Sequence, residues 1–180
     1  MDDSELRRSS WTQIGKISTQ WEYIEYNLSL IYLIMCETTR ITVFDNYNSI
    51  LSFRTKAEFL RTAVKNYFEE PDPLQKELEK LISEAENICK IRNRACHCVL
   101  DMDFSSSSDK DLLYPMPHRP RQYRDMKPKY ILSKTQIHAD SKTVSNFSVK
   151  VIQTQLSLRT FAKTRAEQFR RLESQQNPLE

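Results

Sequence analysis

An all-α protein is what this sequence predicts, and three observations carry that expectation. Three stretches repeat apolar residues at alternating intervals of three and four, and a fourth gathers them on one side, the signature of helices with one buried face. A single glycine, Gly15, serves all 180 residues, so the positive-φ turns of an all-β chain are scarce. No Gly-rich phosphate loop is present, which removes the nucleotide-binding βαβ motifs.

The first helix is set by Ile14, Ile17, Trp21, Ile24, Leu28, Ile31 and Met35. Ser10, with Gln13 three residues later, has the form of a capping box at its start, and Gly15 weakens its first turns. A second helix is expected from Phe44 or Asp45 to Phe68, on the seam Ile50, Phe53, Ala57, Leu60, Val64 and Tyr67, closed by Glu69-Glu70-Pro71. Asp72-Pro73 opens a third: aspartate caps well, proline suits the first helical position, and Gln75 can complete the box. Its seam runs Leu74, Leu78, Leu81, Ala85, Ile88, position 92, Ala95 and Val99. The fourth helix covers about 142–172, with Phe147, Val151, Leu158, Phe161, Ala162, Phe169 and Leu172 on its apolar side. Arg165, Arg170 and Arg171 suit the negative end of its dipole. The architecture expected is one domain over 1–180, an up-and-down four-helix bundle. An irregular or β-hairpin insertion lies between helices three and four, at about 100–140.

That insertion holds Ser105 to Ser108, the extended runs Leu112-Leu113-Tyr114 and Lys129-Tyr130-Ile131-Leu132, and Pro115, Pro117, Pro120 and Pro128. It is also basic. Between His118 and Lys134, the residues Arg119, Arg121, Arg124, Lys127, Lys129 and Lys134 face Asp125 alone. Arg119, Arg121, Arg124, Lys127 and Lys129 are candidate RNA-binding residues, with Tyr123 and Tyr130 available to stack on bases. A plain solvated loop would have the same composition.

The net charge of +3, 28% charged and 39% hydrophobic residues describe a soluble globular chain. Met1-Asp2-Asp3 is acidic where a secretory leader needs a basic start. The greasiest stretch, Ile24 to Met35, is too short and too polar to span a bilayer. Cys36, Cys89, Cys96 and Cys98 form no disulfide framework. A reducing cytoplasm is the expected setting, with no membrane partner.

The chemistry concentrates in Ile91-Arg92-Asn93-Arg94-Ala95-Cys96-His97-Cys98. The seam calls for an apolar residue at 92 and the chain supplies Arg92, the kind of broken rule that marks functional positions. Arginine offers a permanent charge and a planar fork of donors that fits phosphate; histidine moves protons near neutral pH. Asn93 and His97 share a helix face. Arg92 and His97 stand about 140° apart around the axis, separated by roughly 7.5 Å of rise, and flank one groove. Such a pair suits attack by the 2′-hydroxyl of RNA on its neighbouring phosphate, a nucleophile DNA lacks. His97 would be the general base or acid and Arg92 the stabiliser of charge on the phosphate oxygens. Asn93 would orient either of them. The bland reading pairs Arg92 with a carboxylate such as Glu58 and makes His97 a helix-end residue. Cys96-His97-Cys98 lacks the spacing of a metal site, so neither metal nor cofactor is called for. Ser52, Arg54 and Lys56 on helix two could also reach a phosphate, but a solvated face explains them more simply. Trp11, Trp21, Tyr23 and Tyr26 read as core or as a dimer interface.

The run Arg92-Asn93-x-x-x-His97 near the end of a long helix resembles the signature of the HEPN family of helical ribonucleases and nucleotide-binding domains. The likeness covers about 10–98 and 142–172; the long insertion departs from the minimal bundle. The resemblance implies a homodimer with the two signature helices facing each other, which supplies the second histidine that acid–base cleavage needs. It also implies a metal-independent endoribonuclease that leaves 2′,3′-cyclic phosphate ends, in the manner of toxin–antitoxin toxins and antiviral defence effectors, with an antitoxin or activator as partner. Other members of that family have lost catalysis. The alternative is therefore a non-catalytic helical module that binds RNA, a nucleotide or a partner protein.

Overall fold

The long apolar seam near the start of the chain forms one continuous helix. In the computed structural model, which describes residues 3–96, 98–100, 112–115 and 132–176, α1 runs Asp3–Met35. Each of Ile14, Ile17, Trp21, Ile24, Leu28, Ile31 and Met35 is buried, at 8% exposure or less. Ser10 lies within α1, so it does not cap it. Trp11, Tyr23 and Tyr26 are half exposed on the opposite side, and only Trp21 of the four aromatics is core.

The helix ends in a Schellman turn: Thr38 N–H donates to Leu33 O at 3.3 Å and Glu37 N–H to Ile34 O at 3.0 Å. Glu37 takes the left-handed position at φ 49°, where glycine is the usual occupant.

The single helix expected over 44–68 is two helices, α2 (Ile41–Asn48) and α3 (Phe53–Tyr67). The break has a local cause. Asn48 Nδ2 donates to Phe44 O at 2.9 Å and Ser49 Oγ to Asn46 O at 2.8 Å. Short polar side chains that bond nearby carbonyls compete with the helical ladder. Leu51, between the two helices, is fully exposed. The seam of α3 is as expected: Ala57, Leu60, Val64 and Tyr67 are buried.

Helix α4 is Pro73–Cys96. Asp72 Oδ1 accepts the Leu74 N–H at 2.7 Å, so Asp72 caps and Pro73 leads. Gln75 does not close the box; its amide reaches forward to Glu79 at 3.3 Å. Helix α5 is Lys134–Gln176, longer at both ends than the expected 142–172. Ile137 and Val144 join Phe147, Val151 and Leu158 on its buried side, whereas Phe169 is half exposed.

Between α4 and α5, β1 (Cys98–Leu100), β2 (Leu112–Pro115) and β3 (Leu132–Ser133) pair antiparallel in the order β1-β2-β3. Val99 faces Tyr114, and Leu113 faces Leu132. The helices carry the architecture, which is all-α in class. No helix among the described residues is long and apolar enough to cross a membrane.

The chain divides into two compact units. The first takes Met1–Tyr23 and Ala85–Ser148, and its core holds Ile14, Ile17, Trp21, Ala85, Ile88, Ala95, Ile137, Val144 and Phe147. The second takes Ile24–Glu84 and Val149–Glu180, with Leu28, Ile31, Leu60, Val64, Leu78, Leu81, Ile82, Val151 and Leu158 buried. In the second unit Arg165 ties α5 to the end of α3: it donates to Tyr67 O at 2.8 Å and to Glu69 at 2.9 Å. Its guanidinium lies 5.1 Å from the Tyr67 ring centre.

Candidate functional site at the end of α4

Helix α4 brings Arg92, Asn93 and Arg94 into its last turns, inside the first unit. The apolar period that buries Ile88 and Ala95 also carries position 92 toward the core, so the Arg92 stem is drawn inward while its tip emerges. The side chain is 30% exposed. Its Nη1 donates to Asn93 Oδ1 at 3.0 Å, and its Nη2 lies 3.8 Å from Glu22 Oε1 on α1. Its Nε is buried with no hydrogen-bond acceptor among the described residues. Glu22 is 66% exposed, so its hold on the charge is largely screened by water. Glu58 is not the partner; it bonds Arg61 at 2.8 Å.

Asn93 is exposed, and its Nδ2 donates to Cys89 Sγ at 3.6 Å, one turn back on the same helix. Arg92 and Asn93 thus form a bonded pair at the surface, one carrying charge and the other an amide. His97, the third signature residue, lies outside the described residues. So do Arg119, Arg121, Arg124, Lys127 and Lys129, together with Tyr123 and Tyr130.

A buried carboxylate anchors the same turn. Asp140, on α5 and 4% exposed, accepts Arg94 Nη2 at 2.6 Å and Gln136 Nε2 at 2.8 Å. One turn further, Gln20 Nε2 of α1 donates to Ser145 Oγ at 2.7 Å, and Ser145 Oγ to Ser141 O at 2.9 Å. Glu22, Gln136 and Asp140 were absent from the residues singled out in the sequence. Asp140 is 46 positions from Arg94, and no local pattern joins them.

In the second unit Lys56 proves unavailable to any phosphate. It is 7% exposed, held by Glu25 Oε1 at 2.9 Å, and sits 5.8 Å from the Tyr47 ring centre. Tyr47 is 3% exposed, and its hydroxyl has no hydrogen-bond partner among the described residues. Burial raises its pKa well above the usual tyrosine value, and the Glu25 charge adds to the shift. An open groove of about 670 Å³ lies nearby, lined by Tyr32, Met35, Cys36, Glu58, Phe59, Thr62, Ala63 and Asn66. With an acid and no basic side chain in that lining, it does not suit a phosphate. Among the described residues, no group of His, Cys, Asp and Glu is arranged to hold a metal ion.

No protein-family model, curated protein or solved structure matches this chain.

Proposed function

We propose that the chain is a metal-independent endoribonuclease of HEPN-like helical architecture, with Arg92, Asn93 and His97 as its catalytic group. The observation that carries the reading is the state of Arg92. Its fork is steadied by Asn93, yet among the described residues its charge meets only an exposed carboxylate at 3.8 Å. A cation fixed in place but weakly compensated is what a transferring phosphoryl group requires.

In the reaction, the RNA 2′-oxygen bonds to the adjacent phosphorus and the bond from phosphorus to the 5′-oxygen breaks. One His97 takes the 2′-hydroxyl proton. The His97 of a second copy returns a proton to the departing 5′-oxygen, which explains the need for a homodimer through the signature helices. Arg92 meets the growing charge on the non-bridging oxygens. The products are a 2′,3′-cyclic phosphate and a 5′-hydroxyl. Such an activity arrests growth, so a cytoplasmic toxin or phage-defence effector, restrained by an antitoxin or set off by an activator, is the biological role we infer.

The test is incubation of purified protein with end-labelled RNA in EDTA, beside Arg92→Ala and His97→Ala. Cleavage by the wild type that leaves cyclic phosphate ends, and falls at least a hundredfold in both variants, is expected. Cleavage retained in both variants removes these residues as the site. Folded wild-type protein that binds RNA or a nucleotide without cutting any RNA leaves the non-catalytic module.

A further inference from the structure

The second unit carries a row of cations that its own fold does not use. On α5, Arg159, Lys163 and Arg170 are all exposed. At 100° per residue the three fall within an arc of about 40°, and they extend along roughly 16 Å of helix. The buried side of the same segment points elsewhere. Leu158 is fully buried, and Phe161 packs 5.5 Å from Phe68 and 6.3 Å from Tyr67, ring centre to ring centre.

Two ordinary explanations for such charges fail. The helix dipole does not account for them, because α5 continues to Gln176 and its last turn holds no basic residue. The expectation that the basic residues near 170 serve the helix end is thereby corrected. A lattice of surface ion pairs does not account for them either. Glu167 is the sole acid between Leu156 and Arg171, and none of the three cations forms an ion pair among the described residues. Arg165 is different in kind, being turned to Tyr67 and Glu69. Like charges at i and i+4 repel, so the row fits an external polyanion.

We propose that Arg159, Lys163 and Arg170 form a docking line for the phosphate backbone of an RNA strand. A straight row of long, flexible cations suits regularly repeated phosphates. Apolar exposure along this helix comes as single half-exposed side chains such as Leu156 and Phe169, without the continuous apolar face that a helix lying in a lipid surface buries. The choice of RNA among polyanions rests on the ribonuclease reading; the excess of cations on this face of the helix does not. None of the three belongs to the insertion residues 119–129 or to the signature run at Arg92.

The experiment uses full-length Arg92→Ala protein, so that bound RNA is not consumed, with and without the triple change R159Q/K163Q/R170Q. A fluorescein-labelled single-stranded RNA is titrated by anisotropy across a range of salt. The triple change is expected to weaken binding about tenfold or more at low salt. It should also make the slope of log affinity against log salt shallower by about 2, near 0.7 for each lost phosphate contact. Equal affinity and slope in the two proteins, with matching thermal melts, overturn the proposal. So does binding to phosphatidylserine vesicles that depends on the three residues while RNA binding does not. If wild-type protein cuts no RNA but binding depends on the row, the ribonuclease reading fails and the docking line stands. If it cuts RNA and binding ignores the row, only the docking line fails.

Discussion

Arg94 Nη2 and Asp140 Oδ2 meet at 2.6 Å, fastening the last turn of α4 to the first turns of α5 from opposite sides of the β1–β3 insertion. Asp140 is 4% exposed and also serves Gln136. Asp140→Ala removes the buried acceptor of both bonds, one of them charge-assisted, and is expected to cost about 2 kcal/mol of stability. Asp140→Asn keeps an acceptor for Gln136 and is expected to cost about half as much. Urea denaturation of the three proteins checks the order.

The Lys56–Glu25 pair is expected to respond asymmetrically. Glu25→Gln leaves a lysine side chain that is 9% exposed without its counter-charge, at a cost of roughly 3 kcal/mol. Lys56→Met leaves a carboxylate that is 20% exposed and still reaches water, and it gains apolar contact beside Tyr47. Its cost is smaller. Chemical denaturation at neutral pH distinguishes the two, and equal losses would contradict the argument.

Tyr47 places a buried hydroxyl where no group among the described residues bonds it. Tyr47→Phe removes an unsatisfied group and is expected to change stability at pH 7 by less than about 1 kcal/mol. Its effect is larger in alkali. Because burial raises the folded-state pKa, the unfolded chain ionises first. Stability is complete below the usual tyrosine pKa of about 10 and is lost as pH rises beyond it. The variant should hold its melting temperature further into alkali than the wild type. Some loss remains, since burial also raises Tyr32 and Tyr67.

Gly15 and Glu37 occupy positions that suit each other's residue type. A Cβ built at Gly15 meets nothing within 4 Å, so Gly15→Ala is expected to stabilise α1 by about 0.5–1 kcal/mol. Glu37 holds the left-handed position at φ 49°, and Glu37→Gly relieves a cost of about 1 kcal/mol, less glycine's own entropy loss. Its carboxylate is 67% exposed and 4.0 Å from Arg165, a contact of little weight. Each change should raise the melting temperature by up to about 4 °C.

What could be read before the structure follows from the range of the physics involved. The α1 seam, the Asp72 cap and the α3 core depend on neighbours a few residues apart, and spacing reveals them. The α2–α3 break depends on whether Asn48 and Ser49 bond their own backbone, which apolar spacing does not report. The Arg94–Asp140 bond and the Arg92–Glu22 contact join residues distant in sequence, and no period encodes them. Arg92 itself was legible because it violates a period. The face of α5 with Arg159, Lys163 and Arg170 carries no apolar period, so hydrophobic spacing does not mark it.

The order of the two units along the chain has a consequence for synthesis. Each unit combines early residues with residues of α5: Ile137, Val144 and Phe147 complete one core, Val151 and Leu158 the other. On the ribosome, neither core can close until most of the chain has emerged. The apolar seams of α1 and α3 must wait uncovered through translation, the interval in which a chaperone or a nascent-chain partner has the most to bind.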